Sequence, residues 1–198
     1  MKTVLVTGGA KRLGAAISRR LARSGWKVVI HYRGSASEAE ALAGEISALT
    51  IAADLVDAAA AEALPARASA LLAGPLDAVV NSASVFEYNT AATFAAEDFD
   101  RDIAVNLRAP AMIARAFAKS LSAGRSGAVV NLLDQKLWNL NADFFSYTIS
   151  KMGLEGATRL LAKALAPAVR VNAVAPGLVL PSGGQTEEEF RAVAGRYN

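Results

Sequence analysis

The chain has 198 residues, 53% apolar and 20% charged, enough for one soluble domain (1–198) that buries roughly 70% of its unfolded surface. Its net charge of +3 is small and its basic residues are scattered, which argues against a nucleic-acid surface while leaving room for a local anion site. With no cysteine and His31 as the one histidine, disulfides, thiolate metal sites and histidine-rich metal cages are excluded; the opening MKTVLVTGGA has no signal-peptide pattern and no stretch reaches the roughly 18 apolar residues of a membrane span, so the expected compartment is the cytoplasm and no membrane partner is expected.

Short β-branched runs alternate with longer alanine- and leucine-rich stretches. The predicted strands, in chain order, are TVLVT (3–7), WKVVIHY (26–32), LTIAAD (49–54), LDAVVN (76–81), GAVVNLL (127–133) and VRVNAVA (169–175). Helices are predicted near 12–24, 36–47, 57–72, 97–122, 145–166 and 186–194. This alternation predicts an α/β fold with a doubly wound parallel sheet, helices on both faces and a ligand site at the carboxyl ends of the strands.

The first connection, VTGGAKRLG (6–14), places Gly8, Gly9 and Gly14 between a strand and a helix. Glycines there permit a tight turn and let backbone N–H groups and a helix amino terminus approach a pyrophosphate, although such a loop can also be a mere connection. Arg12 stands where many nucleotide loops have another glycine. The second strand ends in IHYRGS (30–35) with no acid to hold a ribose 2′-hydroxyl, whereas Arg33 and Ser35 can hold a 2′-phosphate. NADPH is therefore expected over NADH, the competing reading being a solvated arginine in a surface turn. His31 reads as a packing or adenine-edge residue, and Asp54 either as an acceptor for the adenine amino group or as the cap of the next helix.

Tyr147 and Lys151 lie four apart in a predicted helix and share one face. A nearby ammonium favours the phenolate and lowers a tyrosine pKa from about 10 toward neutrality, which suits proton exchange with a substrate. Asp134 stands thirteen residues before the tyrosine.

Taken together, TGGAKRLG (7–14), Asp54-Leu55, NSAS (81–84), VNLRAP (105–110), SYTISK (146–151) and VNAVAPG (171–177) resemble, in order, the motifs of the short-chain dehydrogenase/reductase family over essentially the whole chain. The resemblance implies hydride transfer between NAD(P)H and a carbonyl-like carbon, with Tyr147 as acid/base, Lys151 as its partner on the nicotinamide ribose, and Asn106 as the water-holding asparagine. It implies cofactor contacts from Gly8, Lys11, Arg12, Leu13, His31, Tyr32, Arg33, Ser35, Asp54 and Leu55. Asn81, Ala83, Ser84, Pro176 and Gly177 would follow at the nicotinamide end.

Most of the family has serine where this chain has Asp134. The pteridine reductase branch is similar at that point and shares the arginine in the glycine loop, the HY ending the second strand and an NxASxF stretch (81–86). By that resemblance Arg12, Ser84, Phe86, Asp134 and Tyr147 would meet a pterin, with Phe86 stacking on it. A carboxylate beside Tyr147 would oppose the lysine and keep the phenol protonated, or would itself carry a proton. The expected activity is NADPH-dependent reduction of a dihydropterin or dihydrofolate-like small molecule. The alternatives are a general ketone or 3-oxoacyl reductase, and a nucleotide-binding module without turnover.

Family members continue past the point where this sequence stops, so the family's last strand is expected to be missing. A homo-oligomer, a tetramer by resemblance, would then use the helices at 97–122 and 145–166. Residues 178–193, with Pro181, Gly183 and Gly184, are expected to form a mobile substrate lid, and Glu187 to Glu189 a helix amino-terminal turn.

Overall fold

The computed structural model describes residues 1–181 and 185–194. Six strands, β1 (Thr3–Thr7), β2 (Lys27–Tyr32), β3 (Leu49–Ala52), β4 (Ala78–Asn81), β5 (Gly127–Leu132) and β6 (Val169–Val174), form one parallel sheet in the order β3-β2-β1-β4-β5-β6. They alternate with α1 (Arg12–Arg23), α2 (Ala36–Ile46), α3 (Ala58–Leu72), α4 (Ala96–Ile103), α5 (Ala109–Ser120), α6 (Phe145–Ala164) and α7 (Glu187–Ala194).

The period of two along each strand divides the core. Leu5, Val29, Val79, Val129 and Val171 pack with Ala61, Leu64 and Ala68 of α3 and with Ile113, Ala114 and Phe117 of α5. Val4, Val6, Val28, Ile30 and Val80 point to the other face, against Ala15 of α1 and Ala39 and Leu42 of α2. Both faces are covered, which is why the strands read as nearly continuous apolar runs.

Strand order reverses at β1, so a crevice opens between the carboxyl ends of β1 and β4. The register sets Thr7 level with Asn81, and Asn81 level with Asn131. Three polar side chains thus stand in a row at the rim where the chain must turn.

One predicted element differs. The stretch 97–122 is not a single α-helix: a π-helical segment, Ala104–Arg108, separates α4 from α5. Pro110 supplies no N–H, so the carbonyl of Asn106 has no regular α-helical donor, and the wider turn accommodates the break. A short 3₁₀ helix, Gln135–Trp138, also follows β5 where a plain loop was expected.

Candidate active site

Gly8 adopts φ +60°, and a Cβ there would stand 2.7 Å from the Cα of Ala83. A Cβ on Gly14 would lie 2.1 Å from the carbonyl oxygen of Gly8. Only hydrogen fits at either place, so the loop lies flat against the start of α1 and leaves a cradle at that helix's amino terminus. No acidic residue occupies the first turn of α1, which keeps the dipole end available for an anion. Thr7 ties the far wall, its hydroxyl oxygen accepting from the N–H groups of Ser82 and Ala83 at 3.0 and 3.1 Å.

His31 serves this loop from within. Its Nδ1 accepts from the Gly8 N–H at 3.1 Å, and Nε2, 3.1 Å from the Ala53 carbonyl, must then carry the proton. Burial holds its pKa down at about 4. Both ring nitrogens are engaged by protein groups, so the imidazole positions the glycine loop; the adenine-edge role gives way to the packing role.

Arg33 is exposed and has no hydrogen-bond or ion-pair partner among the described residues, and Ser35 stands at the N-cap of α2 without making a cap bond. Next to them, Lys11 pairs with Glu38 at 2.5 Å. A free guanidinium and a free hydroxyl after β2, where the strand itself ends in no acid, fit a ribose 2′-phosphate, with the ammonium of Lys11 nearby in its pair with Glu38. Asp54 does not cap α3: its Oδ1 accepts from the Val56 N–H in a local turn, while Asp57 caps the helix through the Ala59 N–H. Leu55 is buried beside it, and Tyr32 is partly exposed at the end of β2.

Arg12 holds φ +49°, a left-handed conformation that favours the glycine it replaces. Its guanidinium donates to the carbonyl of Pro181, so the arginine expected at the substrate also fastens the residues that were expected to cover it. Leu13 packs on the α1/α2 side of the core. Gly183 and Gly184 lie outside the described residues. The acidic run opens α7 as expected, with Thr186 and Glu189 exchanging backbone and side-chain bonds in a capping box.

At the chemical end, the Tyr147 hydroxyl donates to Oδ2 of Asp134 at 2.8 Å, and the other oxygen, Oδ1, accepts from the Lys136 N–H at 2.8 Å. The carboxylate is thereby aimed by its own turn. Burial first, and then the charge of Asp134 and its hydrogen bond, push the Tyr147 phenol well above its ordinary pKa. The shift runs opposite to the lowering expected from Lys151, with burial the larger cause and Asp134 the second. Lys151 is 3% exposed, donates to the Leu132 carbonyl at 2.8 Å and lies 5.6 Å from the centre of the Tyr147 ring. Burial lowers its pKa to about 8, against the pull of Asp134 and Asp102.

Phe86 is 43% exposed, so its ring lies outside the core. It stacks on Phe144 with centroids 4.0 Å apart and 8° between planes, and meets the Tyr147 ring edge to face at 4.7 Å. Ser84 donates to Oδ1 of Asn106 at 3.0 Å, so its hydroxyl proton is directed at the protein. Asn106 is fully buried: Oδ1 also accepts from the Val85 N–H, and Nδ2 reaches the Val85 carbonyl and the Ser150 hydroxyl. Its side chain therefore fastens the segment bearing Phe86 to α6.

Asn81 donates to Asn131 at 2.8 Å, and its buried Oδ1 has no protein partner among the described residues. Ala83 borders the loop at Gly8. The Pro176 carbonyl accepts from the Gln135 N–H at 3.0 Å, which brings the Pro176-Gly177 corner to the turn after Asp134. Sequence reading missed Phe144, Asn89, Asp102 and Ser146. Ser146 lies within SYTISK, but nothing in a linear sequence links Asn89 or Asp102 to it.

A glycine cradle, a free basic end of β2 and a buried Tyr-Lys pair in one crevice define a dinucleotide-dependent oxidoreductase. A family model, short chain dehydrogenase, matches residues 2–191, and the chain belongs to the short-chain dehydrogenase/reductase family of NAD(P)-dependent oxidoreductases. The FolM alternative dihydrofolate reductase 1 of Brucella canis, in a crystal structure complexed with NADP, is similar with a TM-score of 0.93 and 42% identity, covering 98% of this chain and 79% of that one. Among curated proteins, the chloroplastic NADPH-dependent aldehyde reductase 2 of Arabidopsis thaliana is 32% identical over 90% of this chain and 72% of its own length. A 3-oxoacyl-[acyl-carrier-protein] reductase of Staphylococcus aureus is 31% identical over 90% and 75%.

Proposed function

We propose that the chain is an NADPH-dependent reductase of a dihydropterin or dihydrofolate-like substrate. The observation that carries this reading is the Asp134–Tyr147 hydrogen bond next to the part-exposed ring of Phe86. The similarity to the Brucella protein supports it. When bound, the dinucleotide supplies a hydride from C4 of its nicotinamide.

The residues of this chain do the rest. The glycine cradle and the amino terminus of α1 would hold the pyrophosphate, and Arg33, Ser35 and Lys11 would hold the 2′-phosphate. Lys151, fixed under Tyr147 by the Leu132 carbonyl, is placed to bind the ribose. Phe86 offers a flat apolar surface to a flat heteroaromatic ring, and Arg12 and Ser84 flank it with polar groups.

Tyr147 keeps its proton because burial and Asp134 both disfavour the phenolate. Its proton would pass to a substrate ring nitrogen as hydride arrives, the phenolate so formed being neutralised by a proton taken up from solvent through the part-exposed Asp134, 2.8 Å away. A ketone or 3-oxoacyl reductase, the reading favoured by the Arabidopsis and Staphylococcus relatives, would use Asp134 to orient a carbonyl through the same tyrosine.

Tyr147→Phe should abolish turnover while leaving NADPH binding within about twofold, since the ring remains and only the transferable proton goes; a variant with near-normal rate refutes the assignment. Phe86→Ala should raise the Michaelis constant for dihydrofolate about tenfold, as expected for loss of ring stacking and apolar contact worth about 1.4 kcal/mol. An unchanged constant would exclude stacking on Phe86.

A further inference from the structure

The helix that carries Tyr147 and Lys151 begins without a cap of its own. Phe144, at its N-cap position, has φ +56° and no side-chain acceptor to offer. The first N–H groups are met from elsewhere: that of Phe145 donates to the Asn89 carbonyl at 3.2 Å, and that of Ser146 to Asn89 Oδ1 at 3.1 Å. Asn89 Nδ2 in turn donates to the Ser146 hydroxyl oxygen at 2.7 Å. Asn89 thus caps α6 from a distant loop, the one that also carries Ser84 and Phe86.

Behind this cap stands Asp102, 2% exposed. One of its oxygens accepts from the Ser146 hydroxyl, and the other lies 3.4 Å from Asn106 Nδ2, whose two protons are shared among that oxygen, the Val85 carbonyl and the Ser150 hydroxyl. The Phe86 segment is thus tied at Asn89 to Ser146 and through it to Asp102, and at Val85 to Asn106, which borders the same buried group.

Asp102 is not half of a buried ion pair. The neighbouring Arg101 turns outward to Glu87 and Asp98, at 2.5 and 2.7 Å. Burial raises the pKa of Asp102, so the carboxylate is held here at a desolvation cost. What the carboxylate adds is direction. It draws the Ser146 O–H toward itself, leaves that oxygen's lone pairs to Asn89, and places negative charge at the positive end of α6.

We propose that Asp102 is a positioning residue: acting through Ser146 and Asn89, it fixes the first turn of α6, and with it the Tyr147 hydroxyl, against the segment that carries Phe86. The role rests on Tyr147 being the proton donor. It adds a requirement that the tyrosine, the lysine and Asp134 do not themselves meet, namely a set distance between proton donor and aromatic shelf.

The test compares Asp102→Leu and Asp102→Asn with the unaltered chain, using NADPH and whichever of dihydrofolate or a simple ketone that chain reduces. Asp102→Leu should stay folded by circular dichroism and bind NADPH within about twofold, yet lose about tenfold or more in kcat; Asp102→Asn, which keeps an oxygen for Ser146, should recover part of that loss. A change of tenfold corresponds to about 1.4 kcal/mol of barrier. Unchanged kcat in Asp102→Leu overturns the proposal, as does a loss of NADPH affinity in parallel with kcat, which would mark general loosening. Should Asp102→Leu fail to fold, Ser146→Ala must show the same selective loss of kcat, and a normal kcat there overturns the proposal equally. Tyr147→Phe run alongside separates the two ideas: if it turns over normally, the donor assignment falls and the positioning role with it, whereas an inactive Tyr147→Phe beside a fully active Asp102→Leu sinks the positioning role alone.

Discussion

His31 and Lys151 show how burial turns ordinary side chains into local devices. The folded-state pKa of His31, held down to about 4 by burial, lies below the ordinary imidazole value of 6.5. Stability from the neutral ring is therefore fully present above pH 6.5 and is lost as pH falls through 4, a span worth about 3 kcal/mol. Because it is the sole histidine in the sequence, its imidazole proton resonances can be followed without assignment; a midpoint near 4 is expected, and one near 6.5 would mean that the ring does not hold the Gly8 N–H. For Lys151, lowered to about 8, the ammonium is present below that pH and lost above it. Turnover at saturating NADPH should decline as pH rises through about 8, and a rate flat to pH 10 would show that the charge on Lys151 is not used. That Tyr147 and Lys151 lie on one helix was legible from their spacing together with the strand and glycine loop ahead of them. How far the phenol is buried was not, nor that Asp134 reaches the hydroxyl, which is decided by the turn in which the Lys136 N–H aims the carboxylate.

Among the elements, the connection from β1 to α1 sets the tightest steric condition. A methyl on Gly14 would meet the Gly8 carbonyl at 2.1 Å, and backbone cannot yield as a flexible side chain would. Gly14→Ala should cost about 1–3 kcal/mol in denaturant unfolding, as overpacking does, and weaken NADPH binding at least about tenfold by lifting the loop from α1; full NADPH affinity would show that the cradle tolerates a shifted helix. All six strands and the alternation around them could be read from β-branched runs, because strands buried on both faces carry an unbroken apolar signal. The π-helical break before α5 left a weaker mark: Pro110 signals a missing N–H, but whether a helix ends, kinks or widens there depends on what Asn106 finds to bond. The cap of α6 was not legible, since its acceptor, Asn89, lies in another part of the chain.

Over the whole molecule, the described residues place the glycine cradle, the basic end of β2 and the Asp134–Tyr147–Lys151 group along one crevice, at the carboxyl ends of a six-stranded parallel sheet. No helix among them is long and apolar enough to cross a membrane. The family could be read from motifs in order, whereas the proposed substrate class rests on two departures from the common pattern, Asp134 and Phe86, and on their proximity through Tyr147. The measurement that bears most directly on this is NADPH oxidation by the purified chain, followed in parallel with a dihydropterin, with dihydrofolate and with simple ketones. Oxidation with the pterin or dihydrofolate and not with the ketones is the expected result; oxidation with the ketones alone would contradict it and leave Asp134 as a replacement for the usual serine at a carbonyl.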